Sequence, residues 1–217
     1  MINLFRKECR LAASPLSFFF LAAAFLTFVP GYPILLGAFF ITLGIFYSFQ
    51  TTRENNDIGY SLLLPIAKKE IVRGKFLFVT FLELCGFFLM AGAAFFRMIF
   101  LSESGFYVSN ALMGANFTFL GLVLFLFGLF NLVFVRGFFK TAYYFGKPFI
   151  LYIILSLFVI IASEALHFFP GTEKFYSLSF DPFVPQFAVF LSGIAAFVLL
   201  TAIALRKSEA DFEKIDL

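Results

Sequence analysis

Six long apolar stretches, separated by short polar connections, occupy almost the whole chain. About 20 apolar residues in an α-helix cross a hydrocarbon core of about 30 Å, and each stretch is near that length. A segment that crosses lipid must be helical or belong to a closed barrel, and barrel strands alternate polar and apolar residues, which these stretches do not. The pattern therefore predicts an all-α polytopic membrane protein with six transmembrane helices, over residues 11–29, 33–49, 76–101, 111–135, 149–169 and 187–205.

Composition agrees with a membrane protein. Hydrophobic residues make up 62% of the chain and charged residues 13%, whereas a soluble domain has about 45–50% and about 25%. The chain contains 39 Phe and no Trp. Because Phe inserts favourably into a bilayer, we expect these rings to fill lipid-facing and interhelical space rather than to form an aromatic substrate site.

The distribution of Lys and Arg predicts the orientation. With the amino terminus inside, the inner segments hold 14 of the 16 basic residues, and only Arg97 and Lys174 fall towards the outer side. Basic residues concentrate in cytoplasmic loops, so both termini and the long connection 50–74 are expected in the cytoplasm.

The first apolar stretch follows three basic residues and could be read as a signal peptide. It runs through a tight turn at 30–32 directly into another apolar stretch, without a polar cleavage region, so an uncleaved helix is expected. Residues 1–10 alternate apolar and basic positions. This pattern is typical of an amphipathic helix on the inner membrane surface, and a disordered basic tail is the alternative.

No catalytic or metal-binding pattern is present in the sequence. The single His, His167, is expected to be an interfacial polar group, and Cys9 and Cys85 have neither disulfide nor metal spacing. The chain lacks hydrolase motifs and the GxxxxGK[ST] phosphate loop. We therefore expect no enzymatic activity, no metal and no cofactor bound by this chain. The net charge of +3 is small, and no nucleic-acid partner is expected.

Two charges, Glu83 and Arg97, lie within the third stretch. Each costs about 2.5–3.5 kcal/mol near the bilayer centre. Fourteen residues of helix separate them by about 21 Å, so they cannot pair with each other. Arg97 is near the outer end, and it either snorkels to the interface or, like Glu83, lines a translocation path or a dimer seam. For Glu83 two interpretations remain, an interhelical or water-facing polar contact and a residue that lines a translocation path or a dimer seam.

The inner connection 50–74 is the most informative polar segment. Asn56 or Asp57 is a suitable N-cap for a short helix over 58–64, which Pro65 ends. Residues 66–75 form a second amphipathic piece that suits the phosphate layer and leads into the third apolar stretch. The apolar residues of 58–64 lie next to a charged rim of Arg53, Glu54 and Asp57, and this composition is typical of a protein contact. Alternatively, the leucines bury against the base of the bundle.

The stretch YSLLLPIAKKEIVRGKF, residues 60–76, resembles the segment between the second and third helices of ABC-2 type ABC transporter membrane subunits. The six-span layout is similar as well. The chain is most similar to small permeases whose ATPase is a separate polypeptide, such as the exporters of phenol-soluble modulin peptides. The resemblance implies one transmembrane domain over 1–217, multi-pass in the bacterial inner (cell) membrane.

The resemblance also implies partners. ATP and Mg²⁺ would bind a cytoplasmic ABC ATPase subunit, and a second permease subunit, identical or related, would complete the transporter. The coupling helix that docks on the ATPase would lie within 53–64, with contacts from Arg53, Glu54, Asp57, Ile58, Tyr60 and Leu63. Export of peptides or other amphipathic or antimicrobial substrates is implied, without any residue assigned to the substrate. A stand-alone secondary carrier or scaffold without an ATPase is the alternative.

Overall fold

The computed structural model describes residues 2–101, 104–108, 112–141, 144–166, 168–176 and 183–215, and all regular structure in these ranges is helical. His167 lies outside the described residues. The chain order is α1 (Ile2–Lys7, continued by a π-helical turn, Glu8–Ala12), α2 (Pro15–Phe19, continued by a 3₁₀ segment, Phe20–Phe28), α3 (Leu36–Glu54), α4 (Asp57–Leu62), α5 (Lys68–Phe100), α6 (Gly105–Val108), α7 (Phe117–Thr141, with a π-helical turn at Asn131–Val135), α8 (Gly146–Leu166), α9 (Glu173–Tyr176) and α10 (Phe183–Glu213).

Each of the six predicted apolar stretches contains a helix, but the helices differ in how well they suit a membrane. Among the described residues α5, α7, α8 and α10 are long and apolar enough to cross one, and a fifth crossing is counted if Asn3–Arg10 and Pro15–Phe28 form one bent span. The helix α3 is apolar for most of its length and ends in the polar sequence QTTRE. The all-α membrane class is therefore confirmed, with four to five candidate spans.

The chain bends by 93° between α1 and α2. The first helical segment ends at Ala12, and Ala13 and Ser14 are extended. Ser14 Oγ accepts a hydrogen bond from the Leu16 N–H, and Pro15 occupies the first turn of α2. A capping Ser followed by Pro is a strong helix start. The segment 2–12 is thus helical rather than a disordered tail, and it runs across the direction of α2.

Close backbone contact joins α7 to α10. A Cβ on Gly193 would lie 2.6 Å from the Gly121 Cα, and a Cβ on Gly121 would lie 2.7 Å from the Val189 carbonyl oxygen. Small residues let transmembrane helices approach to this degree. Across the bundle the Phe residues divide into core rings such as Phe49 and Phe134, 5.0 Å apart, and exposed rings such as Phe88.

The amphipathic piece predicted over 66–75 forms the start of α5, which begins two residues later than predicted and leads into the third apolar stretch as expected. The helix α5 begins at Lys68, where the Glu70 carboxylate accepts a hydrogen bond from the Ala67 N–H, and continues without a break to Phe100. Its first two turns pair with the end of α10, through Arg73 Nε and Glu209 Oε1 at 2.6 Å and through Lys69 and Glu213 at 3.0 Å. The charged residues at this end of α5 thus bind a neighbouring helix.

Candidate functional site

A sharp turn after α3 presents the short helix α4. Asn56 adopts the left-handed conformation with φ 49° and ψ 36°, which reverses the chain between Glu54 and Asp57. Asn tolerates this region better than most residues. Asn56 occupies the N-cap position of α4, as one of the two predicted alternatives, but its side chain does not form the capping hydrogen bond. The Asp57 carboxylate instead accepts a hydrogen bond from Lys7 Nζ at 2.7 Å.

The outer face of α4 and the following turn expose apolar side chains. Tyr60 is 67% exposed, Leu63 82% and Leu64 51%. The last two leucines therefore do not bury against the base of this chain's own bundle. Arg53 and Glu54 are also exposed at the end of α3, and the Arg53 guanidinium lies 5.0 Å from the centre of the Phe145 ring. Four of the six residues predicted to contact an ATPase are accessible.

The inner face of α4 holds the other two predicted contact residues. Asp57 is 8% exposed and Ile58 is 3% exposed, so in this structure neither offers a contact surface, and Asp57 is not a rim charge. Asp57 instead belongs to a buried ion network. Lys7 donates hydrogen bonds of 2.7 Å to the Asp57 carboxylate and to Ser61 Oγ, so that α1 is fastened to α4.

The network continues from α1 to α3 and α5. Lys75 Nζ donates to Glu8 Oε2 at 3.0 Å and to Thr52 Oγ1 at 2.6 Å, and Lys7 approaches Glu8 Oε1 at 3.2 Å. Four helices therefore meet at one group of charges. The cavity left between these side chains is about 10 Å³, barely the space of one water. The network connects the four helices, and its cavity is too small for a ligand.

The electrostatics of the network favour the charged forms. Burial raises the pKa of the Glu8 carboxyl, but the charges of Lys75 and Lys7 more than offset this, and the pKa lies below the ordinary value. Burial likewise lowers the pKa of the Lys7 ammonium, and Glu8 and Asp57 reverse the effect, so that the pKa is raised. Opposite charges within a few ångström act in this way.

Deep in the bundle, Glu83 meets the amide of Asn131. Asn131 Nδ2 donates to Glu83 Oε2 at 2.9 Å and to Thr201 Oγ1 at 3.0 Å, which joins α5, α7 and α10. Glu83 and Asn131 are both completely buried. Asn131 opens the π-helical turn of α7, and such turns are frequent at functional sites. In this structure Glu83 makes the interhelical contact that was the first of its two interpretations.

The prediction that Arg97 snorkels to the interface is wrong. Its side chain is 1% exposed. Arg97 Nη1 donates to the Thr27 carbonyl oxygen at 2.5 Å, and the guanidinium lies 4.3 Å from the centre of the Tyr107 ring. The Tyr107 hydroxyl donates to the Phe28 carbonyl oxygen at 2.8 Å. A cation at the carboxyl end of a helix is favourable, and Arg97 therefore stabilises the carboxyl end of α2 by binding its Thr27 carbonyl group. As predicted, Arg97 does not pair with Glu83.

Several of these residues are not among those predicted from the sequence. Lys7 and Lys75 enter the predictions only as positive charges of the inner segments, and Glu8, the only acid within 1–10, enters none. Asn131 could have been found, because it is the one amide in an otherwise apolar stretch of α7, and polar groups at such depth are costly unless paired. The pairing of Lys75 with Glu8 has no local signal in the sequence.

The comparisons with known proteins agree with this architecture. Residues 3–208 match the family described as ABC-2 family transporter protein. Searches of curated proteins and of solved structures give no significant match to the chain. The family match covers the segment of 60–76 that carries the resemblance, together with α1, the ion network and the Glu83–Asn131 contact. The chain therefore belongs to the ABC-2 family of transporter membrane proteins, and it is a permease of an ABC transporter.

Proposed function

We propose that this permease exports peptides or other amphipathic substrates, using a separate ATPase subunit that docks on α4. Two permease subunits would enclose the path, and ATP with Mg²⁺ would bind the ATPase. The exposed apolar surface of Tyr60, Leu63 and Leu64 carries the docking part of the proposal. The substrate class rests on the similarity to small peptide-exporter permeases alone.

We propose six crossings, by α2, α3, α5, α7, α8 and α10, with both termini in the cytoplasm. The bias of basic residues supports this orientation. Ion pairs also gather α1, α4, α5, α7 and α10 at one end of the bundle, the last two through Arg136 and Asp211 at 3.5 Å. In intact cells, an impermeant thiol reagent should label Lys174→Cys and spare Ala210→Cys, and the reverse pattern would overturn the orientation.

The docking surface has the composition of a protein interface. A large aromatic ring and two leucines are exposed beside the charges of Arg53 and Glu54 at the end of α3. Interfaces commonly combine a few apolar anchors with a polar rim. Tyr60 is the proposed anchor, because a ring adds contact area for little loss of side-chain entropy.

The inner face of α4 suggests how movement of an ATPase would reach the spans. A force on Tyr60 or Leu63 acts on a helix whose other face holds Lys7 through Asp57 and Ser61. Lys7 and Glu8 are neighbours, and Glu8 holds Lys75 of α5. Transporters switch between discrete packings of rigid elements. We propose that α1, α4 and the start of α5 move as one unit in that switch.

Co-purification with the ATPase tests the proposal. The double variant Tyr60→Ala, Leu63→Ala should weaken ATPase binding by about 2 kcal/mol or more, which is about 30-fold in Kd, at an unchanged amount of permease in the membrane. Phe106→Ala, Val184→Ala is a matched control, because these side chains are 79% and 77% exposed on segments outside the docking surface.

Each outcome of this test decides a separate part of the proposal. If the double variant retains the ATPase as well as wild type does, α4 is not the docking site. If the wild-type permease co-purifies with no ATPase, the stand-alone carrier or scaffold is favoured instead.

A further inference from the structure

The corner between α7 and α8 contains a cavity that the proposed function does not use. Its volume is about 470 Å³, within the range of small-molecule sites. Gly137 and Pro148 are among its lining residues, and α7 and α8 are in close contact there, since a Cβ on Gly137 would lie 2.5 Å from the Pro148 Cβ. In the six-crossing arrangement proposed above, this corner lies at the level of the lipid headgroups, because the ends of two spans line it.

Three cations line the cavity, which are Arg136, Lys140 and Lys147. Arg136 lies 3.5 Å from the Asp211 carboxylate at one edge. Within the described part of the chain, neither Lys140 nor Lys147 has a carboxylate within ion-pairing distance. Many other cations at this end of the bundle are paired, so the corner presents two uncompensated ammonium groups to an anion.

The walls of the cavity are layered. On α7, Leu132 precedes Arg136 by one helical turn, and on α8, Leu151 follows Lys147 by one turn. Both helices therefore place an apolar side chain about 6 Å deeper in the membrane than a cation. Leu151 is 51% exposed and free for contact. A soluble anion would use only the cationic layer, whereas a phospholipid would use both layers.

We propose that this corner binds an anionic phospholipid. The phosphodiester lies on Lys140 and Lys147, and one acyl chain runs along Leu132 and Leu151. Basic pockets between transmembrane helices at the headgroup level have the right chemistry for such lipids. A nucleotide or free phosphate would supply the same anionic group but no chain, and this difference separates the two sources.

Native mass spectrometry of the purified permease, titrated with phosphatidylglycerol, tests the proposal. Each basic residue near the membrane surface contributes about 1 kcal/mol to binding of an anionic lipid, so Lys140→Gln, Lys147→Gln should raise the Kd about 30-fold. The control Arg206→Gln, Lys207→Gln removes two exposed charges on α10 and should change the Kd less than about threefold. Lys140→Arg, Lys147→Arg should keep wild-type binding, which excludes misfolding as the cause.

Several results would overturn the proposal. These are an equal loss in the control, tight binding of phosphatidylcholine that does not depend on Lys140 and Lys147, and competition by millimolar inorganic phosphate, which would assign the site to a soluble anion. Loss of affinity for phosphatidylglycerol in Leu151→Gln, with no effect of inorganic phosphate, would support the acyl-chain part. If bound ATPase protects Lys147 from chemical acylation and phosphatidylglycerol does not, the corner is a protein contact instead.

Discussion

Lys75 Nζ and Glu8 Oε2 lie 3.0 Å apart, across 67 residues of sequence, with side chains that are 3% and 4% exposed. The contact joins α1 to the start of α5, the longest helix in the described part of the chain. A buried ion pair is weak evidence for stability by itself, because desolvation opposes the attraction. The ion pair instead determines where α1 packs on α5.

Removal of one partner should be costly. Glu8→Leu leaves Lys75 buried without a carboxylate, and we expect a loss of about 3–5 kcal/mol in the free energy of unfolding. Lys75→Met should cost less, because Glu8 keeps Lys7 at 3.2 Å. The double variant should recover most of the loss, as apolar replacement of a buried pair is commonly near neutral. Lys69→Met, at an exposed pair with Glu213, is the control and should cost under about 1 kcal/mol.

Thermal unfolding in detergent, followed by the fraction that remains monodisperse, measures these differences. Additive effects of the two single variants would contradict direct coupling between Glu8 and Lys75.

The depressed pKa of Glu8 predicts a pH dependence. A carboxyl whose folded pKa lies below its unfolded value contributes stability above the unfolded value and loses it as pH falls through the folded pKa. The ordinary value is 4.5. The stability advantage of wild type over Glu8→Gln should therefore be full at neutral pH and shrink below about pH 4.5. Parallel curves of midpoint temperature against pH for the two proteins would contradict a charged Glu8.

The contact between Gly121 and Gly193 predicts strong sensitivity to size. Gly193→Val places atoms into the α7 backbone, and overpacking of this kind costs about 1–3 kcal/mol or more. Gly92→Val is a matched control in a transmembrane helix, because a Cβ there meets nothing within 4 Å. We expect the midpoint temperature to fall for Gly193→Val and to change little for Gly92→Val. Equal midpoints would show that α7 and α10 do not pack through these glycines.

The positions of the helices could be predicted from the sequence because hydropathy is a local property. The ends could not, since α5 begins at Lys68 and α10 continues to Glu213 through charged residues that pair with each other. Such pairs join residues that are far apart in the sequence, so no local pattern predicts them. For the same reason Arg97 was expected at the interface, although Thr27 and Tyr107 enclose it. The exposed side of α4 was predictable in part. The mixture of apolar and charged residues shows that the helix has two different faces, but it does not show which face is buried. Asp57, for example, lies on the buried face.

The contact between Glu83 and Asn131 allows the two interpretations of Glu83 to be separated. If it is only an interhelical contact, Asn131→Leu should lower the free energy of unfolding by about 1–3 kcal/mol, because it leaves a buried carboxyl without its donor. The pair Glu83→Leu, Asn131→Leu should restore stability together with transport.

If Glu83 also lines a path or a seam that opens during transport, Glu83→Gln should insert normally and change substrate-stimulated ATPase activity, with a larger effect for Glu83→Leu. In that case the double variant recovers stability but not transport. Wild-type transport in both single Glu83 variants would end the assignment of Glu83 to a path, and wild-type stability in Asn131→Leu would contradict the contact itself.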